Sequence, residues 1–404
     1  MRKTTRALLL AGTVAATWPA IALADDAKPA EPAKPAIPTL GDVLGASGIT
    51  ATGYLDIAYE WMTTSGTFQS TSFDSHGNSI LVPGGANSRV FDYEHNSFNV
   101  QQAAITVAKQ PTEGFGALVN LTAGKDASTI RSYDENMNDF DVTQAFLQYA
   151  HGPLTIIGGK FVTLAGAETI NPTTDTNYSR SILFGYAIPF THTGVRATYA
   201  VNDQLSLILG VNNGWDQLKD ENTQKTAEAG VSFTPNKMLS FSAQGYSGTE
   251  QVAGAGDTHQ GTRNLVDLVA TVNVSDQLTI IINPDWGTQD DAVDLTTAPS
   301  AANMDPRKKA TWWGVAGYVN YQLSDQWRVS FRAEYFDDKD GYRTGVIQKW
   351  KEGTLTLAYM PTKSVELRAE VRGDKSDQNS FLDTDHVSGK STNTSIGFEG
   401  IYKF

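Results

Sequence analysis

The chain has 404 residues, 40% of them hydrophobic, with no cysteine, and 44 acidic against 31 basic side chains give a formal net charge of −13. Without cysteine there is no disulfide, no thiolate chemistry and no cysteine-built zinc or iron–sulfur site. The acidic balance argues against a nucleic-acid partner, because phosphates need a basic face.

The N-terminus reads as a secretory signal. Arg2, Lys3 and Arg6 form a positive region, Ala7–Ala16 an apolar run, and Ala22-Leu23-Ala24 a small-x-small cleavage site. Residues 1–24 are therefore expected to be removed. Three positive charges leave with them, which takes the net charge from −13 to −16. Residues 25–47 follow as an Ala/Pro-rich tether with little to bury. The remainder, 48–404, is expected to be one outer-membrane β-barrel. After the signal, no stretch approaches the roughly 18 apolar residues of a membrane helix. In lipid, where unpaired backbone groups find no water, a closed barrel is then the only spanning form open to this chain.

The strand rhythm carries that reading. A first strand is expected near Ile49–Trp61. Seven hairpins follow, each joined by a short turn: 96–109 with 115–124, 140–150 with 154–161, 192–201 with 204–212, 225–234 with 238–247, 263–274 with 277–286, 310–323 with 326–337, and 345–359 with 363–372. The turns are typical ones, such as His151-Gly152-Pro153, Asn202-Asp203, Ser275-Asp276 and Ser324-Asp325. A last strand covers 391–404. The total is about sixteen antiparallel strands, an even number, with both ends and every short turn on one side. That side is periplasmic in such barrels, and the long connections face outward from the cell. A soluble β-sandwich has no reason to collect its short turns at one end.

Facing patterns agree. Trp327, Val329, Phe331, Ala333 and Tyr335 alternate with Arg328, Ser330, Arg332 and Glu334, and Val365, Leu367, Ala369 and Val371 alternate with Glu366, Arg368, Glu370 and Arg372. A polar, charged lumen with lipid outside fits this better than an apolar interior. Trp61, Trp215, Trp286, Trp312, Trp313 and Trp350 are expected as an interface girdle at the long-loop end, and Tyr149, Tyr199, Tyr321, Trp327, Tyr359 and Tyr402 at the short-turn end. The terminal Phe404 resembles the assembly signal of outer-membrane proteins.

One stretch is distinctive. It reads Gly158-Gly159-Lys160-Phe161, Gly166-Ala167-Glu168, Asn171-Pro172, Asn177-Tyr178-Ser179-Arg180-Ser181, Pro189-Phe190-Thr191-His192-Thr193-Gly194-Val195 and Asn213-Gly214-Trp215-Asp216. It resembles the OmpL-like β-barrel porin family, and the likeness extends from about Gly48 over most of the chain. The resemblance implies an outer-membrane pore without naming a solute.

Enzyme signatures are missing: there is no His-Glu-x-x-His, no Gly-x-Ser-x-Gly and no phosphate-binding Gly-x-x-x-x-Gly-Lys-Ser/Thr loop. A Ser/His/Asn lipase assembled only in the fold is the one enzyme reading left open. The six histidines show no metal-ligand spacing. Asp337-Asp338-Lys339-Asp340-Gly341 resembles the start of a calcium loop but has Ile347 where the twelfth-position Glu belongs, so a solvated acidic loop is expected. No cofactor and no metal are expected.

The expected function is a water-filled channel in the outer membrane of a Gram-negative bacterium, passing small hydrophilic solutes or ions. The alternative is a barrel that acts through its extracellular loops as an adhesin or anchor. Outer-membrane lipid is the expected surrounding and a homotrimer the expected assembly, as for many sixteen-strand porins. The long connection Val162–Thr191 is expected to enter the lumen, with Glu168, Asp175 and Arg180 as candidates for the constriction. Arg196, Arg328, Arg332, Glu334, Glu366, Arg368, Glu370 and Arg372 are the candidate lumen-lining charges. Acidic loop residues (Asp290, Asp291, Asp294, Asp337, Asp338, Asp340, Asp374, Asp377, Asp383 and Asp385) oppose the lumen arginines in setting selectivity. Mild cation preference, fading with salt, is the expected balance.

Overall fold

The structure is a computed structural model that describes residues 40–64, 72–73, 79–80, 89–92, 94–132, 139–220, 222–252, 259–296, 306–384 and 388–404. The signal, residues 25–39 of the tether, His76, Asp385 and His386 lie outside the described residues. At the end of the expected tether, Leu40–Ala46 forms a helix, α1, that leads into the first strand.

Sixteen strands close into one antiparallel barrel. They are β1 (Thr50–Met62), β2 (Ser97–Lys109), β3 (Gly114–Ala123), β4 (Phe140–His151), β5 (Leu154–Val162), β6 (Thr191–Ala200), β7 (Leu205–Asn212), β8 (Thr226–Asn236), β9 (Leu239–Gln251), β10 (Gln260–Asn273), β11 (Leu278–Val293), β12 (Arg307–Ser324), β13 (Trp327–Asp338), β14 (Gln348–Thr362), β15 (Val365–Ser376) and β16 (Thr392–Lys403). Every strand pairs with its sequence neighbours. β1 closes the ring against β16, in the register Tyr54↔Lys403 to Met62↔Ser395. Closure leaves no barrel edge with unpaired backbone groups, as the bilayer demands. The seam extends to the last residue, where Gly53 and Phe404 exchange both backbone hydrogen bonds at 2.9 Å.

Two-residue periodicity sorts the side chains. Phe331 and Leu355 are 45% and 48% exposed on the outer surface, whereas their neighbours Arg332 and Thr354 are 0% and 1% exposed on the inner one. The outer face is thus the apolar one, as lipid contact requires. Gly114 and Gly152 supply the positive φ (89° and 52°) that the first two short turns need. The largest departure from the sequence reading is in height. β9 to β12 run several residues further into the long-connection side than expected, because Thr249–Gln251 and Gln289–Val293 continue the antiparallel ladder above the apolar band.

The aromatic girdle is only half as expected. Trp61 and Trp286 face outward, and Trp313 faces outward against Tyr335 (5.1 Å between centroids). Trp215, Trp312 and Trp350 instead belong to an apolar cluster inside the barrel. Adjacent strand residues point to opposite faces, so Trp312 and Trp313 could not both face lipid. Trp312 turns inward, stacks on Tyr342 at 5.9 Å and donates its Nε1–H to Ala187 O at 3.1 Å. At the short-turn end, Tyr149, Tyr199, Tyr321, Trp327 and Tyr402 are exposed, and Tyr359 stacks on Trp327 at 4.6 Å.

Leu357 lies mid-strand on the lipid face. Leu357→Arg is expected to cost about 2–4 kcal/mol of folding stability in a bilayer. Urea titration of the protein folded into vesicles measures this, and an unchanged midpoint would place that face away from lipid.

Candidate functional site: a loop seated in the lumen

The connection between β5 and β6, residues 163–190, is bound to the inner wall along its length. Its bonds are ordered from one end to the other. Near its start, Ala167 N–H donates to Asn283 Oδ1 on β11 at 2.9 Å. In the middle, Tyr178 N–H and Ser179 N–H both donate to the Glu370 carboxylate (2.7 and 3.0 Å) on β15. Further on, Ile182 N–H and Leu183 N–H donate to Glu334 (3.0 and 3.1 Å) on β13. Leu183–Ala187 then forms a π-helical turn whose Leu183, Phe184, Tyr186 and Ala187 enter the same interior cluster as Phe336 and Trp350. Gly314 leaves the space that Leu183 occupies, since a Cβ there would meet Leu183 Cδ1 at 2.7 Å.

The wall arginines complete the seat. Arg332 donates to Glu168 (2.7 Å), to Ser179 O (2.6 Å) and to Glu352 (2.8 Å). Arg368 donates to the carbonyls of Pro172, Asp175 and Asn177 at 3.0, 2.7 and 3.1 Å, and pairs with Glu366 and Glu399 at 2.8 and 2.9 Å. Arg372 donates to Arg180 O at 2.6 Å and pairs with Asp374 at 2.7 Å. A guanidinium suits this role because its fixed fork of donors satisfies carbonyls and carboxylates at once. Without the loop, the buried carboxylates and guanidiniums would lose partners that burial makes costly to lack.

All three constriction candidates lie in this buried loop. Glu168 bonds Arg332 and accepts Ser181 N–H at 2.6 Å, and Arg180 pairs with Asp175 at 3.1 Å while donating to the carbonyls of Thr169 and Ile170. Asp175 and Arg180 hold the loop's own shape, and Glu168 also ties it to Arg332 on the wall. Burial pushes the Asp175 carboxyl up to about 7 although Arg180 beside it pulls the other way. Burial likewise lifts the loop residues Asp126 and Asp216, each to about 6.

Of the eight lumen-charge candidates, Arg332, Glu334, Arg368, Glu370 and Arg372 gather under the loop. Arg328 and Glu366 pair at 2.6 Å nearer the short turns. Arg196 stands on β6, across the barrel, paired with Glu228 at 2.8 Å and set over the Phe161 ring at 4.2 Å. Glu370 serves the loop's backbone, while Arg368 pairs with Glu366 and Glu399. Glu352 and Glu399 are two further lumen carboxylates, legible in the sequence from the inward parity they share with Thr354 and Ile401. Arg89 and Asp92 belong to another loop, and no periodicity could have placed them inside.

The outer acids are better partnered than the sequence suggested. Asp290 pairs with Lys309 (3.3 Å), Asp294 and Asp340 with Lys308 (3.1 and 2.9 Å), Asp383 with Lys390 (2.7 Å), and His259 Nδ1 lies 3.0 Å from Asp291. Asp338 is buried and accepts Arg343 N–H and Thr344 N–H at 2.9 and 2.7 Å, so the calcium-loop-like segment closes on itself. Among the described residues no group of three His, Asp or Glu is arranged to hold a metal ion.

Toward the short turns part of the inner face is less covered. Thr106, Leu118, Thr198 and Ser206 are half-buried there and Ser232 is exposed.

Comparisons with known proteins fit this architecture. No curated protein matches the chain. OmpT of Vibrio cholerae in its trimer form superposes with a TM-score of 0.58 at 12% identity, over 88% of this chain and 99% of that one. The outer-membrane channel DcaP of Acinetobacter baumannii gives 0.55 at 14% identity, over 88% and 97%. An anion-selective porin from Comamonas acidovorans gives 0.56 at 12% identity, over 88% and 99%. At such identities the likeness is one of fold. The model of the family described as "Putative beta-barrel porin-2, OmpL-like" matches residues 48–404, nearly the whole chain. The chain belongs to this OmpL-like porin family, and its place is the outer membrane.

Proposed function

We propose that the protein is a narrow diffusion channel for small hydrophilic solutes, with mild preference for cations, and that the 163–190 loop sets its narrowest section. The observation that carries the proposal is the seating of that loop on Glu334, Glu370 and three arginines of the inner wall. Sixteen strands enclose a lumen wide enough for water and solute, so something inside must set the limit. The adhesin reading gains no comparable support, because the 163–190 connection points inward.

Charge favours cations. Among the described residues, nineteen buried carboxylates face eight buried arginine and lysine side chains. The lumen arginines that would draw anions are all engaged with carboxylates or carbonyls. Reversal potentials across a salt gradient test this, and a persistent anion preference in high salt would overturn it. The preference should also grow as pH rises through about 6 to about 7. Asp126, Asp175 and Asp216 carry raised pKa values in that range and gain negative charge on deprotonation. A selectivity independent of pH would remove these three from the ion path.

The likeness to trimeric OmpT supports a homotrimer. Chemical cross-linking in mild detergent should give a three-subunit band, and a ladder ending at one subunit would contradict it.

A further inference from the structure

The long connection between β1 and β2 sends one short segment, Arg89–Asp92, into the lumen. Arg89 is 1% exposed. Its Nη1 faces Glu60 of β1 at 3.5 Å and bonds Asp92; its Nη2 bonds Ser395 of β16 at 2.5 Å and faces Asp374 of β15 at 3.4 Å. One guanidinium thus ties the segment to three consecutive strands across the closing seam. The residues after it rest on the 163–190 loop. Phe91 packs on Phe184 and Phe190 at 5.7 and 5.4 Å, and the Arg180 guanidinium lies 5.6 Å over its ring. Arg180 N–H donates to Asp92 Oδ1 at 3.4 Å. Gly185 has no side chain because Val90 fills its place: a Cβ there would stand 2.7 Å from Val90 Cγ2.

We propose that Arg89–Asp92 is a second constriction element, seated on the first, and that Arg89 is its positioning residue and a determinant of ion selectivity. The proposal rests on the channel reading above. The segment is not a loop capping the mouth from outside. It is anchored by buried charge at its start, wedged by aromatic packing in its middle, and joined to the other loop's backbone at its end. Arg89 also balances Glu60, Asp92 and Asp374. Removing its charge leaves three buried carboxylates in one place, which must draw cations or protons, or loosen the segment.

The test is Arg89→Gln in planar bilayers beside the wild type. Cation permeability relative to anion permeability is expected to rise severalfold, and single-channel conductance at least to double. A role in folding alone would leave the reversal potential unmoved, and that result overturns the proposal. The absence of native cysteine permits a second test that keeps the charges in place. Val90→Cys with Gly185→Cys sets two thiols close enough to bridge after a small shift. The bridge is expected to form in the folded barrel, seen as a gel shift reversed by reductant. Failure to bridge in a variant that folds would show that the segment is not seated on the loop. If the wild type itself passes no current, the channel reading fails first, and the two failures stay distinct.

Discussion

Deleting residues 168–180 is expected to raise single-channel conductance severalfold. These residues carry Glu168, Asp175 and Arg180 and supply the carbonyls that Arg332, Arg368 and Arg372 hold. Without them the section of lumen beside β13 to β15 loses its filling, and the sixteen-strand ring itself becomes the limit on flow. The ring survives the deletion because its ladder is closed without the loop. Heat-modifiable migration of the variant verifies folding, and conductance in planar bilayers gives the result. Conductance equal to the wild type in a folded variant would take the loop out of the ion path.

The second large effect is on stability. Arg332 is wholly buried and joins Glu168, Glu334 and Glu352 at 2.7, 3.4 and 2.8 Å. Arg332→Ala takes this cation from three buried carboxylates, of which only Glu352 keeps another arginine, Arg372 at 3.5 Å. Removing one member of a buried charge network typically costs about 3–5 kcal/mol. Urea unfolding from vesicles should lose stability of that order, and tryptic cleavage within 168–180 should become possible in the folded barrel. The double variant Arg332→Ala with Glu352→Gln should recover part of the loss, since it removes one of the stranded charges. A single variant as stable as wild type would mean that the loop's seat does not depend on this ion network.

How much of this was readable in advance depends on the kind of interaction. Alternation along β13 and β15 assigned Arg332, Glu334, Arg368, Glu370 and Arg372 to the inner face, because in a strand parity fixes direction. The short turns gave the strand count and the side of the termini. Length singled out the Val162–Thr191 connection, and the family-like stretch ran through it. What could not be read was pairing between segments far apart in sequence. Nothing local tells that Glu370 will accept the backbone of Tyr178 rather than partner Arg368, or that Asp374 will meet Arg89. The misplacement of Trp312 and Trp350 has a similar origin: an aromatic at a strand end suits the lipid interface, and only parity against its neighbours shows that it packs on the loop instead. The outer acids were judged by composition, whereas Lys308 bridging Asp294 and Asp340 is visible only once β12 and its flanking loops are placed.

Single-channel recording of the purified, intact protein tests the central claim most directly. The account expects discrete, ion-carrying steps, smaller than those of the 168–180 deletion measured in the same bilayer, with a reversal potential on the cation side at low salt. A barrel that is folded by heat-modifiable migration, inserts into the bilayer and passes no current would contradict it.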